Sequence, residues 1–178
     1  MTLLEFIEKM NSDLRNEWTH LKFYLYHAGA VTGLHAEEYR EFLHEAAKGE
    51  LEHVLQFTHR LFGLNYELPT ADDHSFPRYT NISDILDRAI QMETEVADNY
   101  AKRINELDSL SGAHPTVAAY LTIFYENQLE DSYEDCEKMR RILMTYKSTD
   151  TYTRESCGMV AGMRCERVTP ARSAPDRT

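Results

Sequence analysis

The sequence contains few residues that break helices. Its 178 residues include only seven glycines and five prolines, so the composition permits long uninterrupted helices. It also has no apolar run near the roughly 20 residues that a membrane-spanning helix needs. Near the N-terminus, acidic Glu5 and Glu8 interrupt the apolar residues, which argues against a signal peptide. We therefore expect a helical cytoplasmic protein with no membrane partner.

Cysteine and positive charge are also scarce. The three cysteines, Cys136, Cys157 and Cys165, form an odd set without a C-x-x-C pair, which argues against a disulfide framework and against a zinc ribbon. The 30 acidic residues outnumber the 19 lysines and arginines and give a formal net charge of −11. Such a surface disfavours nucleic acid and suits cations, although solubility alone also explains it.

Four segments show apolar residues at helical steps of three and four. A capping box of Thr2 and Glu5 is predicted at the start of the first segment. Gly33 and Gly63 follow the ends of the first two segments, and Pro115 opens the fourth. The expected bounds are about 2–31, 36–62, 82–107 and 115–146. Four long amphipathic helices predict an all-α four-helix bundle.

The lengths of the joins between the helices predict how the bundle is connected. The joins within the first and second pairs are short, so each pair is expected to form an antiparallel hairpin. The middle join, residues 65–80, is long enough to cross the bundle. We assign this bundle to residues 1–147. Residues 148–178 contain two prolines, scattered arginines and few apolar residues, which predicts a flexible C-terminal tail without a fifth helix.

Polar side chains interrupt the apolar stripe near the middle of every helix. They are Glu17 in the first helix, Glu50 and His53 in the second, Glu93 in the third, and Gln128 and Asp131 in the fourth. Antiparallel packing would bring them all to one level of the core. An unpaired buried carboxylate costs several kcal/mol or takes up a proton. A pair of cations bound among these side chains is therefore the economical explanation.

The spacing within the second helix supports a metal site. Glu50 and His53 lie one turn apart on one face, as in the Glu-x-x-His element of carboxylate di-metal bundles. The Glu-x-x-His element often occurs by chance, but the presence of Glu17 and Glu93 at the same level strengthens the prediction of a metal site. Carboxylate oxygens with one imidazole suit iron or manganese, with zinc as a competitor.

Three other side chains of the first helix allow more than one interpretation. His20 lies one turn from Glu17, and we interpret it as a surface or packing residue, with a supporting position beside the centre as the alternative. Trp18 and Tyr26 flank the apolar stripe. They would either face a neighbouring subunit or remain partly exposed within one chain.

Over about residues 3–147 the chain resembles the non-haem ferritins. The residues that match the ferroxidase centre of that family are Glu17, Glu50, His53, Glu93 and Gln128. The resemblance implies that Glu50 bridges two iron ions and that Glu17 and His53 hold the first. Glu93 would then hold the second ion, with Gln128 close to it or to its oxygen species.

Other positions refine the resemblance. Tyr24 stands two turns after Glu17, where the family has a tyrosine that hydrogen-bonds the centre and can donate an electron. The related bacterioferritins have a second Glu-x-x-His on the fourth helix, where this chain has Gln128-x-x-Asp131. They also bind haem through a methionine, and Leu51 occupies that position here. We therefore expect a ferritin without haem, with Asp131 as a further ligand or as part of an accessory iron site.

The leading functional hypothesis is an iron-storage ferroxidase with two iron ions per subunit. Its substrates would be Fe(II) with O₂ or H₂O₂, and the family implies a homo-oligomer, with a 24-subunit cage as one form. The fifth helix that lines the fourfold axes of such cages has no counterpart in this sequence. The main alternative is a di-iron oxidase or peroxidase that stores no iron. A DNA-protecting miniferritin fits less well, because the predicted ligands form a complete set within one chain, and a metal-free bundle would become more stable on Glu50→Ala.

Overall fold

The computed structural model describes residues 1–66 and 75–158, with side chains described as far as residue 149. Its helices are α1 (Leu3–Ala30), α2 (Ala36–Gly63), α3 (Ile82–Leu107) and α4 (Pro115–Gly158), with a 3₁₀ turn at Asp108–Leu110. No strand occurs in these ranges, so the predicted all-α class is confirmed. The first three helices end within one residue of the predicted bounds, whereas α4 continues beyond residue 146.

Local side-chain chemistry fixes the start of two helices. The Thr2 hydroxyl accepts a hydrogen bond from the Glu5 backbone at 3.2 Å, and the Glu5 carboxylate accepts one from the Thr2 backbone at 2.7 Å. This reciprocal pair is the predicted capping box. At the start of α3, the Asn81 side chain accepts from the Ser83 backbone at 2.8 Å. In the join between α1 and α2, Gly33 has a φ of +108°, which residues with a Cβ rarely adopt.

One backbone hydrogen bond establishes the topology of the bundle. The Thr32 amide, in the join between α1 and α2, donates to the Thr80 carbonyl at 3.0 Å, just before α3. The chain therefore leaves α2 at one end of the bundle and begins α3 at the other. With α1 packed along α2 and α3 along α4, the predicted pair of hairpins joined by a long crossover is confirmed.

The core consists of two apolar clusters, one toward each end of the bundle, and every helix contributes to both. The first includes Phe6, Leu14, Phe57, Tyr100 and Phe124, and the second includes Tyr24, Leu43, Ile85, Leu86 and Met139. Burying one such side chain stabilises a fold by about 1.5–3 kcal/mol. The two clusters can therefore hold a layer of buried polar groups between them.

Two expectations fall on residues outside the described ranges. Residues 159–178 hold most of the predicted flexible tail, and residues 67–74 belong to the join that is predicted to cross the bundle. The first part of the predicted tail, residues 148–158, belongs to α4. Among the helices described here, none combines the length and the apolar character needed to cross a bilayer.

Candidate di-metal centre

The polar layer between the two apolar clusters brings most of the predicted ligands together. Relative exposure is 1% for Glu17, 2% for Glu50, 7% for His53, 2% for Glu93 and 0% for Gln128. Each helix contributes from its middle because the helices run antiparallel within each hairpin and the two apolar clusters lie on either side. Five of the six predicted insertions are therefore buried in this layer, whereas the sixth, Asp131, has a side chain that is 53% exposed.

The first group of possible metal ligands joins α1 and α2. Its members are Glu17, Glu50 and His53, and each offers one ligand atom that lies within 4.8 Å of the other two. His53 Nδ1 is 3.1 Å from Glu17 Oε2 and 3.5 Å from Glu50 Oε2. On its other oxygen, Glu17 accepts a hydrogen bond from the Tyr100 hydroxyl of α3. Three possible metal ligands therefore surround a single position, and Tyr100 orients one of them, Glu17.

The second group joins α1, α2 and α3, and it also contains Glu50. Atoms of His20, Glu50 and Glu93 lie within 4.8 Å of one another. His20 Nδ1 is 3.2 Å from Glu93 Oε1 and 3.6 Å from Glu50 Oε1. Tyr24 donates a hydrogen bond to Glu93 Oε1 at 2.7 Å. The interpretation of His20 as a surface or packing residue is therefore replaced, since its imidazole is 4% exposed and faces two carboxylates.

The predicted residues of α4 lie beside these groups, and Asp131 belongs to neither. Gln128 Nε2 donates to Gln56 Oε1 at 3.2 Å, while Gln128 Oε1 is buried without a hydrogen-bond partner. Asp131 has a side chain 53% exposed, and its Oδ2 lies 3.6 Å from His53 Nε2, the ring nitrogen that faces away from Glu17. At 3.6 Å the pair is too long for a hydrogen bond, so Asp131 acts on His53 only as a nearby carboxylate.

Burial and charge act against each other throughout the layer. Burial, followed by the charge of Glu50, raises the pKa of Glu17. Burial lowers the pKa of His53, but Glu17 and Glu50 outweigh this effect and raise the pKa to about 11. Burial also lowers the pKa of His20, but Glu93 and Glu50 outweigh this effect and raise the pKa well above the usual value. Without a metal, protons on the imidazoles thus balance the carboxylates.

Both tyrosines of the layer are held in the protonated form. Burial is the largest cause that raises the pKa of Tyr24 well above its usual value, and Glu93 adds to it. Burial and the charge of Glu17 do the same for Tyr100. Since a protonated phenol can donate a hydrogen bond, each tyrosine fixes the orientation of one carboxylate that faces the centre.

The donor set fits two hard divalent ions. Glu50 Oε2 is buried and has no hydrogen-bond partner, and leaving such an oxygen unsatisfied costs about 1–3 kcal/mol or more. Three carboxylates and two imidazoles suit iron or manganese, and zinc as a competitor. Cys136, the only cysteine among the residues with described side chains, hydrogen-bonds Thr94 and Ile90 away from both groups. A soft-metal site is therefore not formed here.

Two residues of the centre, His20 and Tyr100, are absent from the set predicted from the sequence. Glu17-x-x-His20 repeats the spacing of the Glu-x-x-His element on α2. Tyr100 follows Glu93 at the same interval that separates Tyr24 from Glu17. Both repeated spacings are visible in the sequence and could have identified the two residues.

A four-helix bundle with one long crossover and a buried layer of carboxylates and imidazoles has the architecture of the ferritin-like carboxylate proteins. The sequence model of the Ferritin-like domain family matches residues 7–142, and the chain belongs to this family. No protein of curated function matched the sequence.

Two solved structures illustrate the likeness of fold. A ferritin-like diiron-carboxylate protein from Bacillus anthracis str. Ames superposes with a TM-score of 0.71 at 23% identity, covering 80% of this chain and 99% of that one. A dodecameric thioferritin, the bacterioferritin-related protein from Bacteroides fragilis, gives a TM-score of 0.72 at 15% identity, covering 85% and 92%. Identities this low establish the common fold and no more.

Proposed function

We propose that this chain is an iron-storage ferroxidase, which oxidises Fe(II) to Fe(III) at a centre within one chain and passes the Fe(III) to a mineral store. The observation that carries the proposal is the pair of ligand groups that share Glu50, one oxygen of which is buried without a hydrogen-bond partner. A shared carboxylate suits two ions held side by side, and both ions must be close together if they are to reduce one oxidant molecule.

The side chains have separate roles in this proposal. Glu17 and Glu93 each hold one ion, Glu50 bridges the two, and their hard oxygen donors favour the more highly charged ferric product. Two bound Fe(II) ions supply the electrons that reduce O₂ or H₂O₂. His53 has to release its proton before Nδ1 can bind an ion. Tyr24 orients Glu93 through its hydroxyl and is close enough to the centre to serve as an electron donor.

Storage requires an assembly that encloses the mineral, and we extend the proposal to a homo-oligomer. Large apolar side chains are exposed along the outer faces of α1 and α2: Trp18, Leu25, Tyr26, Leu51 and Leu55. Exposed apolar surface of this kind is suited to contact between subunits. The thioferritin with the same fold is dodecameric, so a dodecamer is a candidate besides the 24-subunit cage.

A di-iron oxidase or peroxidase that stores no iron is the second candidate. The observation in its favour is the presence of two imidazoles, His20 and His53, in the ligand groups. Nitrogen donors hold divalent transition metals more firmly than carboxylates alone. Firm retention suits a permanent cofactor, whereas a storage protein has to release the ferric product from the centre.

Iron retention distinguishes the two functions. The full-length apo protein would receive excess Fe(II) in air, and iron per chain would be measured after desalting, together with the rate of Fe(III) formation. We expect retention far above two ions per chain, lost in Glu50→Gln and kept in Glu41→Gln, an exposed acid of the same helix. Saturation near two ions would favour the non-storing oxidase. Fe(II) oxidation no faster than in buffer would reject both.

A further inference from the structure

We infer that His20 is a direct ligand of the second metal ion, so that each position of the centre carries its own imidazole and α4 contributes neither. The inference deepens the proposed function and rests on the presence of a di-metal centre. It assigns a metal-binding role to a residue of α1 that lies one turn beyond Glu17, on the side of the centre facing α3.

The two imidazoles are placed alike. His53 Nδ1 is 3.1 Å from its own carboxylate, Glu17, and 3.5 Å from the shared Glu50. His20 Nδ1 is 3.2 Å from its own carboxylate, Glu93, and 3.6 Å from Glu50. Each set fits within 4.8 Å, close to the spread of donors around one ion with ligand distances of about 2.0–2.2 Å. If His53 binds one ion in this arrangement, His20 is placed to bind the other, because its distances to the carboxylates are nearly the same.

No histidine, cysteine or carboxylate of α4 belongs to the second ligand group among the described residues. The Gln128 amide nitrogen is occupied by Gln56, and only its neutral oxygen is free. Asp131 is half-exposed and lies next to His53, the imidazole of the first position. Without His20, the second group of described ligands would therefore consist of Glu93 and the shared Glu50.

A small pocket between α1 and α3 also reaches His20. Its lining is mixed: Asn16, Thr19, Asn99 and Glu95 are polar, Arg88 lies 3.6 Å from Glu95, and Met92 and Val96 are apolar. A residue that only fills space in the core would contact apolar neighbours, whereas His20 borders this pocket on one side and two carboxylates on the other.

The symmetry of the two ligand groups makes a quantitative prediction. Each position has one carboxylate of its own, one imidazole and a share of Glu50, so two ions should bind with similar affinity. Loss of either imidazole should weaken one position and spare the other. Because changes to residues that only support a ligand already cost about 10–100-fold in metal affinity, loss of the ligand itself should cost at least about tenfold.

The test uses Zn(II), which undergoes no redox chemistry, in calorimetric titrations of full-length apo protein. Wild type should bind two ions per chain, and His20→Asn should keep one and lose at least about tenfold in affinity for the other. His53→Asn should show the same pattern, and His59→Asn, an exposed histidine of α2, should bind like wild type. Circular dichroism and the apo melting temperature establish that each variant folds.

Equal affinity of wild type and His20→Asn for both ions would overturn this inference and leave the proposed function intact. Failure of wild type to bind any divalent ion would overturn both. Two Zn(II) ions per chain, one of them dependent on His20, without Fe(II) oxidation would support the inference and reject the ferroxidase. If His20→Asn does not fold, a Zn(II)-loaded crystal of wild type decides the matter: a His20 Nδ1–Zn distance of about 2.0–2.1 Å supports the inference, and a distance beyond contact overturns it.

Discussion

Tyr100 of α3 donates a hydrogen bond to Glu17 of α1, and Tyr24 of α1 donates one to Glu93 of α3. The two helices therefore exchange identical contacts, each tyrosine supporting the carboxylate of the other helix. In both helices the tyrosine follows its own glutamate by seven residues, or two turns. Because α1 and α3 run in opposite directions, this equal spacing produces an approximately twofold arrangement around Glu50.

The first prediction concerns these tyrosines. Tyr100→Phe leaves a buried oxygen of Glu17 without a donor, so we expect a loss of about 1–3 kcal/mol in the free energy of unfolding of the apo protein. Tyr24→Phe should cost less, because the same Glu93 oxygen keeps the His20 imidazole as a partner at 3.2 Å. Urea denaturation measures the change, with Tyr133→Phe, an exposed tyrosine of α4, as the matched control. Variants as stable as the control would show that these hydrogen bonds make no net contribution to the free energy of unfolding.

The second prediction is that divalent metal stabilises the fold through Glu50. An ion that binds only the folded state adds about 2.7 kcal/mol at a free concentration of 100 times its Kd. We expect Zn(II) or Mn(II) to raise the melting temperature of wild type and to have little effect on Glu50→Gln. Glu41→Gln should respond like wild type. A metal-dependent rise that survives in Glu50→Gln would contradict the role of Glu50 as the bridging ligand.

The third prediction concerns pH and His27, a fully buried residue remote from the ligand groups. Its Nε2 accepts from the Tyr79 amide at 3.0 Å, and because an amide can only donate, the ring proton must sit on Nδ1, 2.8 Å from the Phe23 carbonyl. Burial lowers the pKa of His27 below the usual value, and the Phe23 carbonyl opposes this effect. Its neighbours Tyr26, Phe76 and Tyr79 are aromatic.

Since the folded pKa of His27 is lowered, its contribution to stability is full above the unfolded pKa of about 6.5. It declines as the pH falls through that value toward the folded pKa, because the unfolded chain takes up the proton first. Urea midpoints at pH 7.5 and 5.5 should therefore differ more for wild type than for His27→Gln. The comparison isolates His27 from the other histidines, and an equal pH response in both proteins would refute the prediction.

The fourth prediction concerns a buried ion pair one turn from Glu17. Asp13, 1% exposed, binds Arg103 through two hydrogen bonds of 2.8 and 3.0 Å and accepts a third from Tyr125 at 2.9 Å. Arg103→Leu leaves a buried carboxylate without its cation, which should cost about 3–5 kcal/mol of unfolding free energy. The double variant Asp13→Leu with Arg103→Leu should recover most of this. A single variant within about 0.5 kcal/mol of wild type would contradict the prediction.

The sequence was informative wherever one helix carries the whole signal. Helical periodicity, the Thr2 capping box and Pro115 are local features, so they located the ends of helices to within a residue or two. The end of α4 was the exception. Polar residues dilute the apolar stripe after Tyr146, and periodicity could not reveal that the helix continues to Gly158. All six predicted ligands followed from polar insertions at a common height, and the structure brings four of them, Glu17, Glu50, His53 and Glu93, into the two ligand groups.

The sequence by itself determined the four helices, their pairing and the level of the polar layer, because these depend on spacings of three, four and seven residues along one chain. Only the tertiary structure decided which side chains meet across helices. The rotation of α1 against α3 brings His20 to Glu93 and Tyr100 to Glu17, while α4 is turned so that Asp131 lies behind His53. Such rotations arise from the packing of the two apolar clusters, a property of all four helices together.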